Sequence, residues 1–453
     1  MDTLVADRAV VLGGSIAGLF AARVLADVYA EVVVVERDAL PGGCGHRRGV
    51  PQDRHIHALG WRGQQAMDEL LPGLTAELMA AGAPVGEMLA DLQPCLNGHR
   101  FRQGPSGLRA LCASRPLVEG HVRARVRALP AVRLLERCDV VGLTTTDDGR
   151  RVTGARVMRR ADGSAEETIR ADLVVDATGR GSRAPRWLDE LGYGRPAIDR
   201  VRTDVGYTSL TYRLPPGRLG GLLGVLVGPT PQLLRGGVVQ ALEGDRHQVT
   251  LFGVLGDHPP VDPAGIDAFA RSLRFPDVHR AIQGAEPLVE PVAYRYPASV
   301  RHRYERMPRL PDGLLVVGDA LCVFNPIYGQ GMTVAALAAL ALRRHLRPGT
   351  GPQPARIMRD LGKVIDQPWA MATGADLAFP GVEGRRSVPS RILGRYVQRL
   401  QATAARDAAV GRVLARVTGG VDGPQALLHP AVVGRVAAAA LRRPGGEVSA
   451  APA

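Results

Sequence analysis

The chain has 453 residues, 45 % of them apolar and 22 % charged, with a mean hydropathy of −0.01, which suits two or three globular domains sharing a large core. The net charge of +13 comes from arginines dispersed in short pairs such as Arg47-Arg48, Arg343-Arg344, Arg385-Arg386 and Arg442-Arg443; Lys363 is the only lysine, and 4 % aromatics are too few for a base-stacking platform, which excludes a nucleic-acid partner. Five scattered cysteines without a Cys-x-x-Cys pair point to a reducing cytoplasm and away from zinc, and neither a signal peptide nor an apolar run of membrane-spanning length is read.

The N-terminal stretch predicts a βαβ unit. An apolar strand over Ala9–Leu12 runs into Gly13-Gly14-Ser15-Ile16-Ala17-Gly18, a helix-period segment follows, and a second buried strand, Val32–Val35, ends on Glu36. Gly13 permits the tight reversal and Gly18 the close packing of helix on strand, while the helix N-terminus offers free N–H groups to a pyrophosphate. Ser15 replaces the usual middle glycine; its small side chain still permits close approach, and its hydroxyl is a possible donor to phosphate. Glu36 is placed to accept the hydroxyls of an adenosine ribose, and an acid there disfavours a 2′-phosphate, so FAD or NAD is expected rather than NADP. Arg37 and Arg48 are planar donors suited to adenine or phosphate. His55 and His57 have metal-ligand spacing but no matching carboxylate or cysteine, so loop anchoring is expected and no metal site is assigned.

Ser114 reads as an N-cap with Pro116 just inside a helix. Short strands and the turns at Asp147-Asp148-Gly149 and Asp162-Gly163 mark a small antiparallel insertion, closed by the buried strand Leu173–Asp176 and the turn at Gly179. From Val201 to Tyr296 strand-like runs dominate, with one helix near Pro263–Leu273, and Val292, Tyr294 and Tyr296 fall on one face. A buried strand then delivers Gly318-Asp319, and a loop from Pro326 leads into an alanine-rich helix from about Thr333 to Arg347. The remainder reads as helical, broken at Pro368, Pro380, Pro389 and Pro430.

Three separated motifs stand together: the Gly13–Gly18 turn, Asp176-Ala-Thr-Gly179, and Gly318-Asp319-Ala320 with Pro326-x-x-Gly329-Gln330-Gly331-Met332. In this order they resemble the FAD-dependent aromatic hydroxylase superfamily, the single-component (group A-type) flavin monooxygenases, over roughly the first 350 residues. The wording Arg-Gly-Val-Pro-Gln-x-Arg-His-x-His and Phe-Asn-Pro-x-Tyr-Gly-Gln-Gly-Met is similar to the actinobacterial branch of polyether polyene epoxidases. The resemblance implies an α/β fold, a Rossmann-like FAD-binding domain with an inserted antiparallel substrate sheet and a helical C-terminal region. Residues 1–85, 113–195 and 308–350 would form the FAD-binding part, 86–112 and 196–307 the substrate part, and 351–453 the helical region. It further implies that Gly13, Ser15, Ile16, Ala17, Gly18 and Glu36 hold the nucleotide end, that Arg48 and Arg115 contact the pyrophosphate or ribityl region, and that Asp319 takes the ribityl chain. Pro326, Gly329, Gln330, Gly331 and Met332 would pass along the isoalloxazine, with Gly179 nearby. Two positions depart from the family pattern. The family's Asp-Gly pair is Thr178-Gly179 here, and its histidine after Gly-Asp-Ala-x is Cys322, read as a buried small side chain.

The expected reaction is oxygen insertion through a flavin 4a-hydroperoxide, with O2 as co-substrate and electrons from NAD(P)H or a separate flavin reductase. No residue is assigned as a catalytic base. The strands between Val205 and Leu255 carry few acids, so the substrate is read as a lipophilic small molecule, free or on a carrier protein, with epoxidation of a polyene or polyketide in secondary metabolism favoured. Tyr207, Tyr212, Phe252, Tyr294, Tyr296 and Phe324 are the candidate lining residues. Aromatic hydroxylation, prenyl-chain reduction and halogenation on the same scaffold are the alternatives. Halogenation lacks its Trp-x-Trp-x-x-Pro segment and accompanying lysine here.

Overall fold

A computed structural model describes residues 4–57, 59–347, 351–384 and 388–441. Strand β1 (Ala6–Leu12), helix α1 (Ile16–Leu25) and strand β2 (Tyr29–Val35) form the expected βαβ unit. They nucleate a five-stranded parallel sheet in the order Leu314–Val316, Leu173–Asp176, β1, β2, Val132–Leu135. Residues Ala9–Leu12 and Val32–Val34 are fully buried, because helices cover one face of the parallel sheet and a small antiparallel sheet, with Val152, Ala155 and Val157 in the shared core, packs on the other, leaving no wet side for polar alternation. Each buried valine or leucine contributes about 1.5–3 kcal/mol, and an aspartate at Val11 would remove that and bury a charge as well. A three-stranded antiparallel sheet, Cys138–Thr145, Val152–Arg159 and Glu166–Arg170, is the small insertion expected from its turns.

The second layer is an eight-stranded sheet in the order Cys322–Val323, Val292–His302, Ile198–Tyr212, Arg246–Gly253, Arg235–Leu242, Gly224–Val227, Leu92–Leu96, His99–Arg100. Its two faces follow the period of two. Leu210, Tyr212, Val239, Val249 and Leu251 pack with Ile266, Phe269 and Val278 of the helices Pro263–Arg271 and Asp277–Ile282. Tyr207, Val238, Gln240, Thr250 and Phe252 belong to the opposite face, which looks toward the nucleotide-type layer. Tyr212 is therefore a correction: it stands five residues from Tyr207 on one strand, an odd spacing, and so packs in the core on the far side of the sheet.

Ser114 caps the Arg115–Arg127 helix, its Oγ accepting from Leu117 N–H at 3.2 Å. In the C-terminal region, helices span Pro354–Asp376, Val388–Ala404, Ala408–Thr418 and Pro430–Leu441. Pro368 does not break the first of them; the helix runs through it for 23 residues, held by the buried Ile357, Leu361, Ile365, Trp369 and Ala372. Pro389 lies near the start of the next helix, where a proline costs no hydrogen bond, and Pro430 opens the last. The pairs Arg385-Arg386 and Arg442-Arg443, and the end of the expected helical region past 441, lie outside the described residues. Among the described residues no helix is long and apolar enough to cross a membrane.

Candidate active site

A cavity of about 710 Å³ opens between the two layers. One end is the β1–α1 turn. Gly13 has φ +103, and a Cβ there would lie 2.5 Å from the Ala177 carbonyl oxygen; a Cβ on Gly18 would lie 1.8 Å from the Gly13 carbonyl oxygen. Ser15 occupies the N-cap position without a side-chain cap bond, so the first N–H groups of α1 keep their donors for a ligand, and Ser15, Ile16 and Ala17 line the cavity. At the other end the Pro326–Tyr328 turn and Gly329, at φ +62, lead into the Gly331–Arg343 helix, again without a side-chain cap, and Gly329, Gln330, Gly331 and Met332 line the wall. Two helix N-termini thus face one cavity.

Between them lies a buried charge network. Glu36 accepts from Gly14 N–H at 2.8 Å and Asp38 N–H at 2.9 Å, and its Oε2 pairs with Arg47 Nη2 at 2.7 Å. Arg47 also bonds the Gly14 carbonyl at 3.1 Å and pairs with Glu119. Glu119 accepts in turn from Ser15 Oγ at 3.0 Å and from Arg115 Nη2 at 2.9 Å. The Ser15 proton is thus given to Glu119, which leaves the backbone amide, not the hydroxyl, as this residue's donor toward a phosphate. Neighbouring Arg115 and Arg47 hold the Glu119 carboxyl below its usual range, outweighing burial. Arg48, expected at the pyrophosphate or ribityl region, is exposed and absent from the cavity wall; its neighbour Arg47 is the buried one. Arg37 is exposed at the cavity rim.

Asp319 sits on a single turn after the Leu314–Val316 strand, beside Gly318, whose φ is +63 and where a Cβ would lie 2.5 Å from the Ala17 side chain. Burial pushes the Asp319 carboxyl up, opposed by Arg115 and Arg180. Its carboxylate lines the cavity and has no hydrogen bond among the described residues. Asp176 contrasts with it: it accepts from Thr178 N–H at 2.8 Å and from the hydroxyls of Thr178 and Ser182 at 2.6 Å each, and is a structural acid. Gly179, at φ +73, follows on the same wall.

The wall opposite is formed by the large sheet. Tyr207, Phe252, Tyr294, Tyr296 and Phe324 all line the cavity. The Tyr296 hydroxyl donates to the Val323 carbonyl at 3.2 Å. His55 is anchored by Nδ1 to Ser209 Oγ at 2.8 Å, with its ring centroid 5.3 Å from that of Tyr294, and His57 Nδ1 donates to the His55 carbonyl at 2.9 Å. Burial lowers His55 to about 4 and His57 to about 3, so both are neutral at pH 7. Loop anchoring is the role the contacts give His55. Cys322 is buried, 3 % exposed. Sequence reasoning missed Arg47, Glu119 and the polar residues of the sheet wall; for Glu119 the available signal was its i+4 spacing from Arg115 at a capped helix start.

The glycine cradle, the two helix N-termini and an unpartnered acid between them suit a dinucleotide cofactor with a redox-active end beside a second ligand. Residues 9–186 match the family of FAD dependent oxidoreductases. Protein Rv3254 of Mycobacterium tuberculosis is 38 % identical over 390 residues, covering 82 % of this chain and 81 % of that protein. The chain belongs to the FAD-dependent oxidoreductase family. Its fold is similar to those of flavin-dependent brominase Bmp2 (TM-score 0.63, 15 % identity, 92 % of this chain and 94 % of that one). It is equally similar to p-nitrophenol 4-monooxygenase PnpA of Pseudomonas putida DLL-E4 (TM-score 0.63, 17 % identity, 93 % and 100 %).

Proposed function

We propose that the protein is an FAD-dependent monooxygenase that inserts one oxygen atom from O2 into a lipophilic substrate, by epoxidation of a polyene or polyketide chain in secondary metabolism. The observation that carries this reading is the single cavity, which joins the Gly13–Gly18 cradle and Asp319 to a largely apolar sheet wall. In this reading the amides of Ser15, Ile16 and Ala17 and the Arg115 guanidinium hold the pyrophosphate. Glu36 and Arg37 border the adenosine, Asp319 takes the ribityl hydroxyls, and residues 326–332 and Gly179 border the isoalloxazine. When bound, FAD supplies the redox chemistry, passing electrons from NAD(P)H or a separate flavin reductase to O2.

The chain's own residues bind, orient and keep water out. Phe252, Tyr294 and Phe324 present apolar surface, and a long hydrocarbon gains about 25 cal/mol for each Å² it buries there. A water-poor wall of this kind protects a reactive oxidant from hydrolysis. An alkene reacts as a nucleophile without losing a proton, so the reaction asks for no base. Halogenation is disfavoured by the position of Lys363: it is exposed on the Pro354–Asp376 helix, paired with Asp360 at 2.7 Å, and is not part of the cavity wall.

The test is turnover of a set of alkenes and phenols under ¹⁸O₂, read by mass spectrometry. Label in an epoxide is expected. Label only in a phenol transfers the protein to aromatic hydroxylation, and product without label refutes oxygen insertion from O2.

A further inference from the structure

The sheet wall is not uniformly apolar. Along its cavity face the register sets Val238 beside Thr250, and Gln240 beside Gln248. Two of these polar groups are satisfied within the protein: Thr250 Oγ1 lies 2.6 Å from Ser209 Oγ, and Gln248 Nε2 donates to the Arg54 carbonyl at 2.6 Å. Gln240 differs. It is only 9 % exposed, it lines the cavity, and its carboxamide has no hydrogen-bond partner among the described residues. A carboxamide withdrawn from bulk water onto a strand face where the neighbouring Thr250 and Gln248 side chains already have their own partners is costly unless a ligand completes its bonds.

The charge distribution narrows the kind of ligand. The charged side chains of the cavity, among them Glu36, Arg47, Arg115 and Asp319, all come from the nucleotide-type layer and its small three-stranded sheet, and the eight-stranded sheet contributes none. A group bound at Gln240 therefore meets no counter-ion on that wall. A primary carboxamide offers one acceptor oxygen and two donor hydrogens, so it pairs with a carbonyl, a hydroxyl or an amide alike.

We propose that Gln240 is the centre of a neutral hydrogen-bonding subsite that selects a lipophilic substrate carrying an uncharged carbonyl, hydroxyl or amide group over a bare hydrocarbon and over a carboxylate. This rests on reading the cavity as the oxygenation site and narrows its substrate class. A bare hydrocarbon gains area but leaves the carboxamide unpaired, and a carboxylate is stripped of water with no cation to receive it.

The test uses the FAD-loaded protein and three probes of one shape: 2-acetylnaphthalene, 2-ethylnaphthalene and 2-naphthoate, with dissociation constants from isothermal titration. In the wild type 2-acetylnaphthalene is expected to bind about tenfold tighter than 2-ethylnaphthalene, although burial alone ranks them the other way, with 2-naphthoate weakest. Gln240→Leu is expected to reverse the first two while leaving FAD affinity unchanged. A wild type that prefers 2-ethylnaphthalene or 2-naphthoate, or that binds none of the three, overturns the subsite, and this ranking decides even if the variant does not fold. So does a preference that survives in Gln240→Leu. Protein that takes up no FAD overturns the underlying reading instead, so the two failures are distinguishable.

Discussion

Glu119 shows how one buried carboxylate organises a nucleotide-type site at the residue scale. By taking the Ser15 proton and two guanidinium groups it fixes the turn and aims two cations, so its removal would leave Arg47 and Arg115 with less compensation in a poorly hydrated place. Asp319 is the opposite kind of acid: no described residue completes its hydrogen bonds, whereas Asp176 on the adjacent strand is satisfied three times over. Asp319→Ala should therefore leave the fold intact and weaken FAD binding about ten- to a hundredfold, the worth of a charge-assisted hydrogen bond at roughly 1.5–3 kcal/mol. Equilibrium titration with FAD measures it, and a variant that keeps its full flavin through gel filtration would show that Asp319 does not hold the cofactor.

Elements far apart in sequence meet at the Pro326–Tyr328 turn on the cavity wall, which is why part of the site is legible in the sequence and part is not. The βαβ unit and the loop from Pro326 announce themselves through local glycine and strand patterns, because the constraint and the signal lie within the same few residues. The far face of Tyr212 is legible from the period of two along its strand, whereas the helix running through Pro368 is not, because a local proline rule ignores the tertiary packing that carries the helix. Asp376 had no local signal at all. At the end of the Pro354–Asp376 helix it accepts from Asn325 Nδ2 and from the Tyr328 hydroxyl, each at 2.8 Å, and thereby ties both sides of the Pro326–Tyr328 turn to the C-terminal region. Burial pushes its carboxyl up to about 6, so it is ionised at pH 8. At that pH, Asp376→Leu and Tyr328→Phe should each weaken FAD binding, and the double variant should lose less than the sum by about 1 kcal/mol. Strictly additive losses in FAD affinity would mean that the helix does not shape the loop through this pair.

Across the whole molecule, the two layers are joined around a short segment that crosses from the nucleotide-type layer to the large sheet. Its Arg54 carbonyl accepts from Gln248, His55 bonds Ser209, and Ile56 N–H donates to Thr250 at 3.4 Å, so three successive residues stitch the layers together at the cavity wall. This junction makes stability depend on pH through His55. Its folded-state value of about 4 lies below the ordinary 6.5, so between those limits the unfolded chain binds a proton that the folded chain refuses. Stability from this group is complete above pH 6.5 and drains away as the pH falls toward 4, on the order of 2 kcal/mol by pH 4.5. His57, lowered to about 3, acts in the same direction. Asp376, raised to about 6, has the opposite slope, since between 3.8 and 6 the folded state holds the extra proton and gains stability on acidification. Comparing the wild type with His55→Gln cancels both, because each keeps its own contribution in the variant. Urea unfolding followed from pH 7.5 to 4.5 should show the wild type losing stability relative to His55→Gln by that amount, with the change concentrated below pH 6.5. A difference between the two proteins that stays constant with pH would show that His55 takes up its proton as readily in the fold as out of it, and that the junction is open to water.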